Sequence, residues 1–293
     1  MIKYFDVHAH IASEEDVYKD LDKVLKRAFD SGVIKVVDSG YDIQSSKQAL
    51  ALSERYENVL ATCGLQPELL IPGSDVYNEK LNIQEELDKL KDLYSANENK
   101  FVAIGECGLD YYWLNNGSIS CSEVKEIKAK QKELFKSQIE LAMESNAPLV
   151  VHSRGAEEEC LSIINLLFYA KASKSKQRIS MKSPKVLFHS YTGDMATAKK
   201  VFKKGYYISF NGILTYSKAE EIRELFRFAW ETHSDLVLSE TDSPFLAPSQ
   251  SGSKVCEPAF IRYTVGKMAD IVGEKKEKIS KRLIQNAQTF YSL

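Results

Sequence analysis

The chain carries five histidines, and two of them stand one residue apart: His8 and His10 close the short apolar run of YFDVHAH. His152 ends a second such run in LVVHSR, and His189 ends a third in VLFHSYTG. Two carboxylates hold similar places, Glu106 in AIGECGLDYY and Asp242 in VLSETDSPF. Neutral imidazole and ionised carboxylate are good ligands for divalent first-row ions. Six such ligands are too many for one open tetrahedral site; they suit two ions about 3.5–4 Å apart, bridged by one carboxylate. In an extended chain His8 and His10 face the same side, because side chains alternate with period two, so the pair can grip one ion. The fifth histidine, His233, lies at the end of a helical pattern in polar surroundings and is read as structural.

Those residues need a scaffold that brings distant segments together. Eight short, mostly apolar runs read as strands, at residues 4–8, 33–40, 58–64, 101–106, 148–153, 185–190, 206–212 and 235–242. Continuous rather than alternating apolar character fits strands covered on both faces. Helical patterns with three- and four-residue spacing lie between them, at 15–32, 82–95, 123–145, 156–170, 194–205 and 219–231, and two more close the chain near 257–272 and 275–291. In the first, Val17, Leu21, Val24, Leu25 and Ala28 form the apolar face. Alternation of this kind predicts an α/β fold, a closed (β/α)8 TIM barrel spanning residues 1–293 as one domain. An open doubly wound sheet is the alternative, weakened because no G-x-G-x-x-G follows the first strand. In a barrel all strand C-termini open on one face, so the six candidate ligands would converge. Residues 113–122 and the Lys- and Ser-rich 171–185 read as insertions, the second a solvated linker.

Composition narrows the classes. With 293 residues, 44% of them hydrophobic, the chain can bury a large core. A formal charge of -2 argues against nucleic-acid binding through bulk positive charge, and favours short or end-on contact over a long duplex footprint. The five cysteines are odd in number and lack C-x-x-C spacing, which points to a reducing compartment without disulfides. No run reaches the roughly 18 apolar residues of a membrane span, and the first residues do not look like a signal peptide. A cytoplasmic protein is expected, or a nuclear one in a eukaryote, and a monomer without membrane partners.

In this order, FDVHAH, GECGLDYY, VVHSR, HSYTGD, ISFNGILT and ETDSPFLAP resemble the successive motifs of the TatD-related deoxyribonucleases. The resemblance runs from the first strand to the eighth. It implies a metal-dependent hydrolase on a (β/α)8 barrel with DNA as its partner. It also implies that His8, His10 and Asp242 bind one ion, that His152 and His189 bind the other, and that Glu106 bridges them. Mg2+ is the ion expected for activity, with Zn2+ or Mn2+ as alternatives. One position departs from the pattern: where the family usually has G-x-H-P, this chain has Gly64-Leu65-Gln66-Pro67. Gln66 can donate a hydrogen bond to a phosphate oxygen but carries no charge and passes no proton near neutral pH.

The expected activity is hydrolysis of DNA phosphodiester bonds, 3'-5' exonuclease-like on single-stranded or frayed ends, by an ion-activated water. Asp242 is the candidate to orient or deprotonate that water. Glu240, two residues back on the same strand, either holds a ligating histidine, contacts substrate or is a buried structural carboxylate. Arg154 is a candidate phosphate clamp, since a guanidinium matches two phosphate oxygens. Tyr111 and Tyr112 could stack on bases or seal the barrel rim. Asn211 faces the same mouth, as a substrate contact or a loop-bracing residue. The same ligand set would equally serve an ester, a lactone, an amide or an aminoacyl-tRNA, because the ions polarise carbonyl and phosphoryl oxygens alike. A non-catalytic binding protein is disfavoured by the intact ligand set.

Overall fold

The computed structural model describes residues 1–115, 119–174 and 185–293. Eight strands run β1 Tyr4–Ala9, β2 Val33–Ser39, β3 Val59–Cys63, β4 Phe101–Asp110, β5 Leu149–Arg154, β6 Val186–Phe188, β7 Tyr207–Phe210 and β8 Val237–Ser239. Each pairs in parallel with the next, in the order β1 to β8. The ring is drawn shut beyond β8, where Asp242 N donates to His8 O at 3.0 Å and His10 N donates to Ser243 O at 2.7 Å. This is the expected (β/α)8 barrel.

The helices are α1 Glu15–Tyr18, α2 Leu21–Asp30, α3 Ile43–Arg55, α4 Ile83–Ala96, α5 Cys121–Glu144, α6 Glu157–Lys174, α7 Met195–Lys203, α8 Glu220–His233, α9 Ile261–Val272 and α10 Lys276–Tyr291. Two differ from the sequence expectation. The predicted 15–32 helix breaks at Lys19, whose φ is 57°, and restarts behind the Asp20 N-cap. Val17 thereby leaves the apolar face and is 41% exposed. Helix α3 was not expected, because its Ser- and Gln-rich sequence blurs the apolar stripe; a capping box between Asp42 and Ser45 starts it. The 171–185 insertion falls largely outside the described residues. Of 113–122, Trp113–Asn115 form a short 3-10 turn and α5 begins at Cys121 behind a Ser120–Glu123 capping box. All five cysteines are free. Among the described residues no helix is long and apolar enough to cross a membrane.

Two apolar clusters divide the interior. The larger lies between strands and helices. The smaller fills the barrel itself with Phe5, Val7, Val37, Ala103, Val150, Leu187, Tyr207 and Leu238, one inward side chain layer capped from below by Ala287, Phe290 and Tyr291 of α10. Tyr291 Oη donates to Val7 O at 2.8 Å, and Phe290 packs edge-on against Tyr207. The N-terminal mouth is therefore plugged, and polar residues are confined to the opposite end.

Alternation then assigns the next inward positions: Ser39, Thr62, His152, His189, Ser209 and Glu240. Strands β1 and β4 break it. Val7 and Ala103 face inward, so strict alternation would turn His8 and Glu106 outward; instead the register shifts between Asp6 and Ala9 and between Ile104 and Cys107. Each irregularity re-aims a side chain into the barrel. Strand β4 also continues to Asp110, four residues past the end expected at Glu106.

Gly64 lets β3 approach this irregular stretch. A Cβ there would stand 2.5 Å from Glu106 O and 2.6 Å from Gly105 C, all backbone. Gly64→Ala should destabilise the fold by roughly 1–3 kcal/mol through overpacking, measured by urea unfolding. An unchanged midpoint would show that β4 can yield here.

Candidate metal centre

Glu106 lies at the centre of the polar layer, 2% exposed. Its Oε2 stands 3.5 Å from His8 Nε2 and 3.4 Å from His10 Nε2. Its Oε1 stands 2.7 Å from His152 Nδ1 and 3.0 Å from His189 Nε2. One carboxylate thus faces two pairs of imidazoles, one pair per oxygen. Asp242 Oδ1 approaches the first pair, 3.9 Å from His8 Nε2 and 3.7 Å from His10 Nε2, and these two nitrogens are 3.2 Å apart. His8 also stacks on His189, with ring centroids 3.9 Å apart.

The first group fits a cation. Buried Glu106 Oε2 has no hydrogen-bond partner, although polar atoms surround it. Donor spacings of 3.2–3.9 Å match a tetrahedral shell, whose edge is about 3.4 Å for ligand bonds of about 2.1 Å. The tautomers agree. His10 Nδ1 donates to Ser39 O at 2.9 Å, which leaves the Nε2 lone pair of the neutral ring aimed at the centre. Ser39 Oγ lies 3.1 Å from His8 Nδ1 and allows the same arrangement. The second pair, His152 and His189, shares Oε1 and could hold a second ion.

Buried aspartates hold the strand exits. Asp38 on β2 accepts from Ile11 N and Ala12 N, at 2.6 and 3.2 Å, fixing the chain just past His10. Asp6 on β1 accepts from Thr241 N at 2.8 Å and from Thr241 Oγ1 at 2.5 Å, beside Asp242. Asp242 itself adopts a left-handed backbone with φ 55°, a conformation that costs roughly 1–3 kcal/mol and clusters at functional sites. None of these clamps was singled out from sequence, where an aspartate near a strand end reads as a turn former.

Other expected site residues divide by location. Glu240 is fully buried; it accepts from Ser209 Oγ at 2.5 Å and from Asn211 Nδ2 at 3.4 Å, faces His189 Nδ1 at 3.6 Å without a hydrogen bond, and does not reach the mouth. Asn211 is likewise internal, with Oδ1 accepting from Ile213 N and Nδ2 donating to Ser190 Oγ at 2.8 Å. It braces its loop instead of facing substrate. Tyr111 is buried and its Oη donates to Glu159, sealing the rim. Tyr112 is 55% exposed and lies under the Arg154 guanidinium, 4.1 Å from ring to Cζ. Trp113 flanks the same guanidinium at 5.1 Å. Gln66 and Arg154 line a pocket of about 860 Å³ together with His10, Glu106, His152, His189 and Asp242. His233 packs against Phe202 and Phe228, away from this mouth.

The sequence model of the TatD related DNase family matches residues 5–292. YabD of Bacillus subtilis, named as an uncharacterized metal-dependent hydrolase, is 31% identical over 289 residues, covering 99% of both chains. The chain belongs to the TatD family of metal-dependent hydrolases. A Salmonella typhimurium relative named 3'-5' ssDNA/RNA exonuclease TatD is 27% identical over 294 residues, again 99% of both chains. The crystal structure of YjjV, a TatD homolog from Escherichia coli K12, superposes with a TM-score of 0.78 at 22% identity, covering 99% of this chain and 98% of that one, and supports the fold.

Protons can stand in for cations here. Burial alone would lower the histidines and raise Glu106, but their mutual contacts outweigh it. His10 is pushed up to about 9 by Glu106 and Asp242, His152 to about 10 by Asp110 and Glu106, and Glu106 is held well below the usual carboxylate range by His189, His10 and His152. His8 moves the other way, through burial and the adjacent His189. Cation uptake must displace the protons of His10 and His152, so metal affinity should rise between pH 6.5 and 10 with proton release. The fold stability of chelator-treated protein should instead fall as pH rises. A raised histidine pKa stabilises the fold fully below 6.5 and loses that contribution as pH passes 9–10. Urea midpoints at pH 7 and pH 10, with and without added Zn2+, check this; a chelated protein equally stable at both would refute it. Glu106→Ala should lower bound metal and abolish hydrolysis with far-UV circular dichroism unchanged, and full metal content in that variant would remove its bridging role.

Proposed function

We propose that this chain is a metal-dependent deoxyribonuclease, acting as a monomer on single-stranded or frayed DNA ends with 3'-5' exonuclease-like polarity. Its working ions are two divalent cations, Mg2+ for activity with Mn2+ or Zn2+ as alternatives. The observation that carries this reading is Arg154. Its guanidinium lies 4.1 Å from the Tyr112 ring centre and 5.1 Å from that of Trp113, makes no ion pair among the described residues, and lines the same mouth as the Glu106 cluster. A cation held in place by aromatic faces, with its N–H donors unspent, is a receptor for phosphate oxygens. Trp113 and Phe245, 42% and 53% exposed, line that mouth and offer faces on which unstacked bases can lie. The name of the Salmonella relative supports the same chemistry.

Bound ions supply a water of lowered pKa and neutralise charge growing on the phosphoryl oxygens. The remaining work belongs to side chains. Asp242, at the pocket wall with 13% of its side chain accessible, takes the proton of the attacking water. Gln66, whose carboxamide makes no hydrogen bond among the described residues, donates to a phosphate oxygen. Arg154 holds a flanking phosphate. Glu240, 3.6 Å behind His189 Nδ1, offers that ring a compensating negative charge.

The test uses protein stripped with chelator, resupplied with Mg2+, Mn2+ or Zn2+, and offered end-labelled single- and double-stranded DNA. Ion-dependent shortening of single strands from the 3' end is expected. No cleavage with any ion, alongside turnover of a carboxyl ester or lactone, would overturn the nuclease reading in favour of another hydrolase.

A further inference from the structure

Asp110 is fully buried at the end of β4 and no substrate or ion role has been given to it. Its Oδ2 stands 3.2 Å from His152 Nε2, while His152 Nδ1 faces Glu106 Oε1 at 2.7 Å. Its Oδ1 accepts from Tyr112 N at 3.0 Å and from Trp113 N at 3.4 Å. Its own backbone N donates to Gln131 Oε1 from α5. Both oxygens of this carboxylate therefore have partners.

We infer that Asp110 is a positioning residue that selects the His152 tautomer able to bind metal and, with its other oxygen, sets the aromatic bed of Arg154. An ionised carboxylate only accepts. It therefore requires the proton on Nε2 and leaves the Nδ1 lone pair aimed at the space beside Glu106. The same bond argues against a third cation between Glu68, Asp110 and His152, whose ligand atoms also lie within 4.8 Å of one another. His152 cannot both donate from Nε2 and ligate through it.

Asparagine tests this because it is nearly isosteric. With its amide NH2 toward His152, donor would meet donor unless the proton moves to Nδ1, which removes the metal lone pair. Turned over, its NH2 would confront the Tyr112 and Trp113 amides. Either way one function of the carboxylate is lost, which a merely space-filling role would not require.

The inference rests on His152 being a metal ligand, so His152→Ala is measured beside Asp110→Asn. Both are titrated with Zn2+ after chelation, and bound metal is counted by atomic emission. His152→Ala should lose one ion per chain. Asp110→Asn should weaken that same ion about 10–100-fold, the usual effect of removing a partner behind a ligating histidine. Nitrogen-15 correlation spectra of the imidazoles should place the proton of His152 on Nε2 in the zinc-loaded wild-type protein. A Nδ1 proton there would overturn the inference without any variant. Wild-type zinc affinity together with wild-type binding of single-stranded DNA in Asp110→Asn, with one ion lost in His152→Ala, would overturn it too, because one of the two roles must fail. Full metal in His152→Ala would instead sink the ligand assignment on which it stands.

Discussion

A single negative charge, almost wholly buried at the base of the pocket, organises the upper half of this barrel. An isolated buried carboxylate is expensive, and it persists only with partners that answer its charge and both its oxygens. Glu106 has four imidazoles around it, two for each oxygen. Those rings arrive on β1, β5 and β6, so satisfying one side chain demands that the barrel close. The demand is reciprocal: three buried rings and the half-buried His152 would otherwise crowd one another, as the stacked His8 and His189 show.

Placing that charge inward required breaking the most regular feature of a strand. The inner surface of the barrel is apolar as far as Val7 and Ala103, and alternation would send the next polar side chains outward. Register shifts in β1 and β4 turn His8 and Glu106 in instead. Such irregularities weaken a ladder locally, and buried aspartates take up the slack. Asp38 bonds the backbone beyond β1, Asp6 that beyond β8, and Asp110 that beyond β4. The exits of β1, β4 and β8 are thus held by aspartates, two from the neighbouring strand and one, Asp110, from the end of the strand itself.

Much of this was legible in the sequence, for a physical reason. Parallel barrel strands are buried on both faces, so each reads as an apolar run, and a polar ligating residue at its end stands out against it. The four histidines, Glu106 and Asp242 were visible in that way, and the structure brings all six together. What stayed hidden depends on pairing. A register shift leaves no composition mark, so the extension of β4 to Asp110 and the inward turn of Glu106 could not be read. Asn211 and Glu240 share the inward parity of the ligands, yet their hydrogen bonds are spent on Ile213, Ser190 and Ser209. Sequence gives the direction of a side chain and not its partners. Helix α3 was missed because its start is encoded in a cap and not in a stripe.

The aromatic plug that α10 drives into the floor of the barrel leaves the interior, among the described residues, with one doorway. A polymer cannot be threaded through such a vessel. Any substrate must enter over the rim, and every product must back out along the way the substrate came. Traffic through that shared entrance, past Arg154 and Phe245, then links departure of one product to admission of the next substrate.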